Sequence, residues 1–374
     1  MRPSAPFAAV LRGFALAVLL AACARQEPVG ASDSMAAPAR SSTRVDLTGA
    51  GATFPYPLYA RWFNEYAALT NVRINYQSIG SGGGIRQVVA HTVDFGATDV
   101  PMTNEELASA TSRVLHVPTV VGAVALTYNV PGLSRPLNLS GDVIADIFLG
   151  RITRWNDVRI LALNPAATLP ATEILVVHRA DGSGTSYILS DYLATVSGDW
   201  AQGPGRSKDV RWPVGVGGKG NEGVAGQVKQ MPGALGYLEV VYARQNRLPV
   251  VHVRNAAGRF ISPMPFEIAS AATAVLEALP AGGALGRSAD LRLSLVNAPG
   301  AQSYPISSFT WMLISPDAIG PQKTRQLVTF LRWALLESGD LASTLGYVPL
   351  PTVAATRVID RLELLTGAAK TPTP

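Results

Sequence analysis

The chain of 374 residues contains one cysteine, Cys23, and four histidines, His91, His116, His178 and His252. A single thiol excludes an internal disulfide. Four scattered histidines without a second cysteine offer no ligand pairing of the metal type, so neither a metal site nor metal-assisted hydrolysis is expected. After Ala22 no apolar stretch is long enough to cross a bilayer. Basic blocks and aromatic ladders of the nucleic-acid kind are missing, which excludes a nucleic-acid partner. No fixed-period repeat points to a solenoid or propeller. Charged residues make up 15% against 48% hydrophobic ones, the balance of a well-cored globular body.

What is present begins with an export signal over residues 1–22. Arg2 and Arg12 precede the apolar run Gly13–Ala22, which is too short for a permanent membrane helix. Leu20-Ala21-Ala22-Cys23 looks like a bacterial lipobox, so Cys23 is the expected lipidation site and new N-terminus. Several acyl chains there would anchor the protein stably at a membrane, where one chain is marginal. Residues 23–43 are small, polar and proline-containing, and are expected to form a flexible tether. As a loose coil it would span about 25 Å. Without Arg2 and Arg12 the formal charge falls from +5 to +3. Such a mild positive balance attracts small anions without identifying one.

The remaining body of about 330 residues is longer than one core usually serves, so two lobes are expected. Strands and helices alternate, which argues an α/β fold. Val45–Thr48 runs as a strand into Gly49-Ala50-Gly51, and Leu58, Trp62 and Tyr66 share one face of a helix over Phe54–Leu69. Val72–Tyr76 alternates as a strand, and glycines 82–84 open a helix over Ile85–Ala90. Asp94–Thr98 is the next strand end, and Thr103-Asn104-Glu105-Glu106 forms a capping box. Val117–Asn129, apolar and β-branched, has the pattern of a buried parallel strand and of a crossing between lobes. A second lobe would hold the helix Val143–Leu149, the strand Ile174–Val177, the glycine loop 217–223, Leu235–Leu238 and a helix over Met264–Leu279. Tyr304–Ile314 returns the chain as a strand, and a helix over Lys323–Leu336 completes the first lobe.

Four stretches carry the chemistry: Gly49–Phe54, Ser81-Gly82-Gly83-Gly84, Asp94–Asp99 and Arg179-Ala180-Asp181-Gly182-Ser183-Gly184-Thr185-Ser186. Small and hydroxyl residues just ahead of helices present free N–H groups and the positive dipole end to an anion. The glycines after Ser81 lack the Lys-Ser/Thr ending of a nucleotide loop, so ATP is a poor candidate. Arg179 ends a strand, where open α/β sheets place ligand groups. Asp181, two residues on, is placed to orient that guanidinium. Asp99 is the odd member, because a general anion trap has no use for a carboxylate. It suits an anion that still carries a proton. Singly, each has a structural alternative: Thr53 as an N-cap, Ser81 in a plain turn, Asp99 and Asp181 as caps, Arg179 in a surface ion pair.

Taken in order from Leu47 to Leu350, these motifs, with Thr48–Pro55, Thr92–Ala97 and Gly217-Gly218-Lys219-Gly220-Asn221, resemble the bacterial periplasmic phosphate-binding receptors of phosphate ABC importers. The resemblance implies a two-lobed α/β binding-protein fold of type II, with lobe one over residues 44–125 and 301–374 and lobe two over 126–300. It implies that Thr53, the Phe54 N–H, Ser81 and Asp99 from one lobe and Arg179, Ser183, the Gly184 N–H and Thr185 from the other hold phosphate on hinge closure. It also implies membrane permease subunits driven by a separate ATPase as partners, a monomeric state, an extracytoplasmic location, and neither a cofactor nor catalysis. Alternatives that use the same cage are a phosphate scavenger or sensor, a phosphoester hydrolase, and a sulfate or molybdate binder. Asp99 argues against the last.

Overall fold

The computed structural model describes residues 46–133, 135–278 and 292–367. The export signal, Cys23, the tether, Val45 and Leu279 lie outside the described residues. β1 (Asp46–Gly51) leads into α1 (Tyr56–Thr70), β2 (Arg73–Ser78), α2 (Ser81–Val89), β3 (Phe95–Thr98) and α3 (Asn104–Ser109). β4 (Leu115–Tyr128), β5 (Asn138–Leu139), α4 (Gly141–Phe148), α5 (Val158–Leu163), β6 (Leu175–Arg179), α6 (Gly184–Val196) and α7 (Gly198–Gln202) follow. Next come β7 (Val216–Gly218), α8 (Gly220–Gln230), β8 (Ala234–Glu239), α9 (Val240–Asn246), β9 (His252–Arg254), β10 (Phe260–Ile261) and α10 (Pro265–Glu277). β11 (Leu295–Val296), β12 (Ile306–Ile314), α11 (Pro316–Leu336), α12 (Gly339–Leu345), β13 (Val348–Pro349) and α13 (Thr352–Thr366) complete the chain.

Most strands build a mixed sheet in the order β2-β1-β3-β12-β4-β8-β6-β7, with β11 on β12 and β13 on β4, while β10, β9 and β5 pair in a small separate sheet. β2, β1 and β3 run parallel at one end, as do β8, β6 and β7 at the other. The strand joining the two sets is β4, which corrects one expectation: it is antiparallel to β12, β13 and β8. Its unbroken apolar run records burial on both faces, and burial on both faces does not set strand direction. β4 changes partner along its length. Leu115–Ala123 lies against β12, and Val124–Tyr128 lies against β8.

Each half has its own aromatic core. Tyr59, Trp62, Phe63 and Tyr66 on one face of α1 pack with Tyr76, Phe95 and Phe330. Asn71 ends α1 in the left-handed region (φ 62°) and donates its N–H to the Ala67 carbonyl. In the other half Phe148, Trp200 and Tyr237 surround Trp212, which stacks on His178 at 5.3 Å. Tyr76 and Phe95 come from β2 and β3, and His178 and Tyr237 from β6 and β8, so these clusters pack on strands that lead into the segments described below.

Two more expectations change at the helix starts. Glycines 82–84 do not precede a helix but form the first turn of α2, and the glycine loop 217–223 is instead the end of β7 and the start of α8. Glycine weakens a helix interior, but at the first turn its bare backbone can lie against another segment.

Candidate functional site

Thr53 lies two residues past the end of β1, Asp99 directly follows β3, and Arg179 ends β6. The starts of α2 and α6 meet where the Gly184 N–H donates to Ser81, and the start of α8 joins them through Asp181 and Arg179. Thr53, Ser81, Asp99, Arg179, Ser183, Gly184 and Thr185 are all buried, with Asp99 2% and Arg179 3% exposed. Burying a carboxylate and a guanidinium together is costly unless each is bonded, and both are.

Asp99 is held by a turn. Thr98 Oγ1 donates to the Val100 carbonyl at 2.6 Å, which bends the chain just past β3. Asp99 Oδ1 accepts from Thr310 Oγ1 at 2.8 Å, and Oδ2 accepts from Ser81 Oγ at 3.2 Å. Burial pushes its pKa up from 3.8 to about 7, against the Thr310 bond, the Arg179 charge and the Ser81 bond. The capping alternative falls to Thr103, whose box with Glu106 caps α3.

Arg179 Nε donates to Asp181 Oδ1 at 2.8 Å, Nη2 donates to Asp181 Oδ2, and Nη1 donates to Thr185 Oγ1 at 3.2 Å. The fork is bidentate, the geometry a guanidinium favours. Burial opposes the Arg179 charge, but the Asp181 bonds hold its pKa above the usual value. Burial likewise works against ionised Asp181, and the Arg179 bonds outweigh it and lower the pKa. Asp181 Oδ1 also accepts the Gly220 N–H at 3.0 Å, which ties the start of α8 to the arginine.

Segments from the two halves are clasped directly. Ser81 Oγ accepts from Asp99 N at 3.2 Å and Gly184 N at 3.1 Å while donating to Asp99, so its bonding capacity is filled. Gly82 N donates to the Gly182 carbonyl at 2.9 Å. Glycine is required at Gly184, where an added Cβ would stand 2.6 Å from Asp99 Cβ, Asp99 Oδ2 and Ser81 Oγ. Gly80 (φ 88°) is similarly confined, 2.3 Å from Asp181 Oδ2.

Thr53 is not a cap, because Pro55 occupies that position of α1 without a side-chain bond. Its hydroxyl accepts from Asn221 Nδ2 at 2.7 Å and Asn221 N at 3.3 Å, and its carbonyl accepts from Tyr242 at 2.6 Å. The Phe54 carbonyl takes the Tyr347 hydroxyl at 2.7 Å. Ser183 Oγ caps α6 by accepting the Ser186 N–H at 3.0 Å. The hydroxyl protons of Thr53, Ser183 and Thr185 remain as donors.

Asn221, Tyr242 and Thr310 were not singled out by sequence reasoning. Asn221 lies within the Gly217–Asn221 motif, and its place in the first turn of a glycine-led helix was a usable signal. Its Oδ1 accepts the Glu239 N–H at 3.0 Å, so one amide joins the Thr53 segment to the end of β8. Thr310 sits in a fully buried strand whose pattern marks no member. Among the described residues no group of three or more His, Cys, Asp or Glu gathers as a metal site would require.

A family profile described as a PBP superfamily domain matches residues 36–338. The phosphate-binding protein PstS of Haemophilus influenzae is 42% identical over 306 residues, which is 82% of this chain and 89% of that one. The chain belongs to the PstS family. PstS of Methanocaldococcus jannaschii is 38% identical, covering 86% of this chain and 87% of its own. Among solved structures, the periplasmic phosphate-binding protein PfluDING, bound with phosphate, matches 84% of this PstS-family chain and 93% of itself, at 21% identity and TM-score 0.66. A phosphate-binding protein of Stenotrophomonas maltophilia matches 86% and 94%, at 20% identity and TM-score 0.65. These structures carry the fold: the chain is an α/β, two-lobed solute-binding protein.

Proposed function

We propose that this chain is the phosphate receptor of an ABC importer, closing two lobes over the anion and releasing it, chemically unchanged, to membrane permease subunits. The observation that carries the reading is Asp99, a buried carboxylate beside the buried, Asp181-oriented Arg179. Phosphate near neutral pH keeps a proton to donate to Asp99, while N–H groups, hydroxyls and Arg179 satisfy its other oxygens. Sulfate has no such proton and would face the carboxylate with a lone pair, a cost of several kcal/mol.

In this reading Thr53, the Phe54 N–H, Ser81 and Asp99 belong to lobe one, and Arg179, Ser183, the Gly184 N–H and Thr185 to lobe two. The lobes take residues 44–125 with 301–374, and 126–300. The partner change of β4 at Ala123–Val124 supports a hinge close to that boundary. The closed form is the one that docks on the permease, a population shift driven by ligand. Lipidation at Cys23 keeps the monomer at the membrane outside the cytoplasm. Deleting the gene tests the receptor role. High-affinity phosphate uptake should be lost with sulfate uptake unchanged, and undiminished phosphate uptake would contradict it.

A further inference from the structure

Outside the cage, an ion pair between Glu106 and Lys208 joins the two halves. Glu106 lies in α3, seven residues beyond Asp99, and its Oε2 accepts the Thr103 N–H at 2.9 Å to complete the capping box. Its other oxygen, Oε1, accepts from Lys208 Nζ at 2.5 Å. α3 belongs with β3 and β12, since Leu107 packs on Ile85, Val88, Met102 and Leu313. Lys208 belongs to the other half, on the stretch between α7 and β7 that Ser207 N fastens to Ser190 of α6 at 3.1 Å.

Both ends of the pair connect to the cage. The Lys208 carbonyl accepts the Ser183 N–H at 3.0 Å, so the residue that holds Glu106 through its ammonium holds the anion loop through its backbone. The side chains are only 13% and 27% exposed, which shields the pair from the screening that weakens surface bridges. Glu106 is fixed by its capping bond and Lys208 by its loop, so little side-chain entropy is lost when they meet.

We propose that Lys208 and Glu106 are positioning residues that latch the closed arrangement and set the rate of anion release without touching the anion. The proposal rests on the phosphate-receptor reading. A latch formed on closure slows opening and leaves encounter unchanged, so it acts on release. It also acts alike on any anion in the cage, so it raises affinity without altering selectivity.

The test is stopped-flow phosphate release and calorimetric affinity for the full chain, for Glu106→Gln, which keeps a capping amide, for Lys208→Met and for the double variant. Each single variant should release phosphate about 3- to 10-fold faster at an unchanged association rate, and the double variant should be no faster than either. Lys208→Arg should restore slow release, and the phosphate-to-sulfate ratio should stay that of the unmodified chain. Release at the original rate in both single variants, or effects that multiply in the double, would overturn the latch alone. Failure of the unmodified chain to bind phosphate would overturn the receptor reading and the latch with it.

Discussion

Replacing Asp99 by Asn keeps the shape of the side chain and removes its charge. The carboxylate has Thr310 on Oδ1 and Ser81 on Oδ2, both through hydroxyl donors, and an asparagine oxygen retains one of these bonds. What it loses is the charge-assisted acceptance of the phosphate proton, about 1.5–3 kcal/mol, or about 10- to 150-fold in phosphate affinity. What it gains is an amide donor toward an unprotonated anion, so sulfate binding should rise as phosphate binding falls. The pKa of Asp99, about 7 in the anion-free protein, fixes the pH dependence. Below it the carboxyl is neutral and donates, so the preference for phosphate over sulfate should shrink as pH falls from about 8 to about 6.

The same shift has a stability sign. An acid whose pKa is raised on folding binds its proton more tightly when folded, so its contribution is present at low pH and lost as pH rises toward the folded value, about 7. Asp99 should therefore make the anion-free protein less stable at about pH 8 than at about pH 6, by about 1–2 kcal/mol, and Asp99→Asn should remove that share of the difference. Calorimetric titration with phosphate and sulfate at both pH values, with melting curves beside it, reads all three effects. An unchanged phosphate-to-sulfate ratio in Asp99→Asn at about pH 8, where the carboxylate is charged, would refute the role of the proton.

Arg179→Ala removes the guanidinium from the cage and the bidentate partner from Asp181, so phosphate affinity should fall by at least about 100-fold while the fold persists; near-normal affinity by calorimetry would remove Arg179 from the cage. Gly184→Ala places a methyl against Asp99 Cβ and Ser81, so the halves should no longer close; small-angle scattering with phosphate should show a form more open than the unmodified chain. Asn221→Ala removes the bonds to Thr53 and Glu239 and should weaken phosphate binding about 10-fold without changing the phosphate-to-sulfate ratio.

The α/β alternation and most strands and helices were legible because their apolar spacing follows the local period, as in α1, where Leu58, Trp62 and Tyr66 recur on one face. The direction of β4 was not, since pairing is decided by partners far along the chain, β12 and β8. Glycine clusters were legible as special points but not as helical first turns. That outcome depends on what lies opposite, for Gly82 the Gly182 backbone and for Gly184 the Asp99 side chain. The Arg179–Asp181 fork could be named from a two-residue spacing. Thr310, 211 residues from Asp99, and Asn221, 168 from Thr53, meet their partners only through the fold.

The central claim is that a buried carboxylate selects a protonated oxyanion. The most direct measurement is calorimetric titration of the purified chain, stripped of bound anion by unfolding and refolding, with phosphate, then sulfate, then arsenate at about pH 8. The account predicts tight one-to-one phosphate binding, at a free energy of about −8 kcal/mol or better, comparable arsenate binding and no sulfate heat. Equal binding of sulfate, or no phosphate heat from a folded sample, would contradict it.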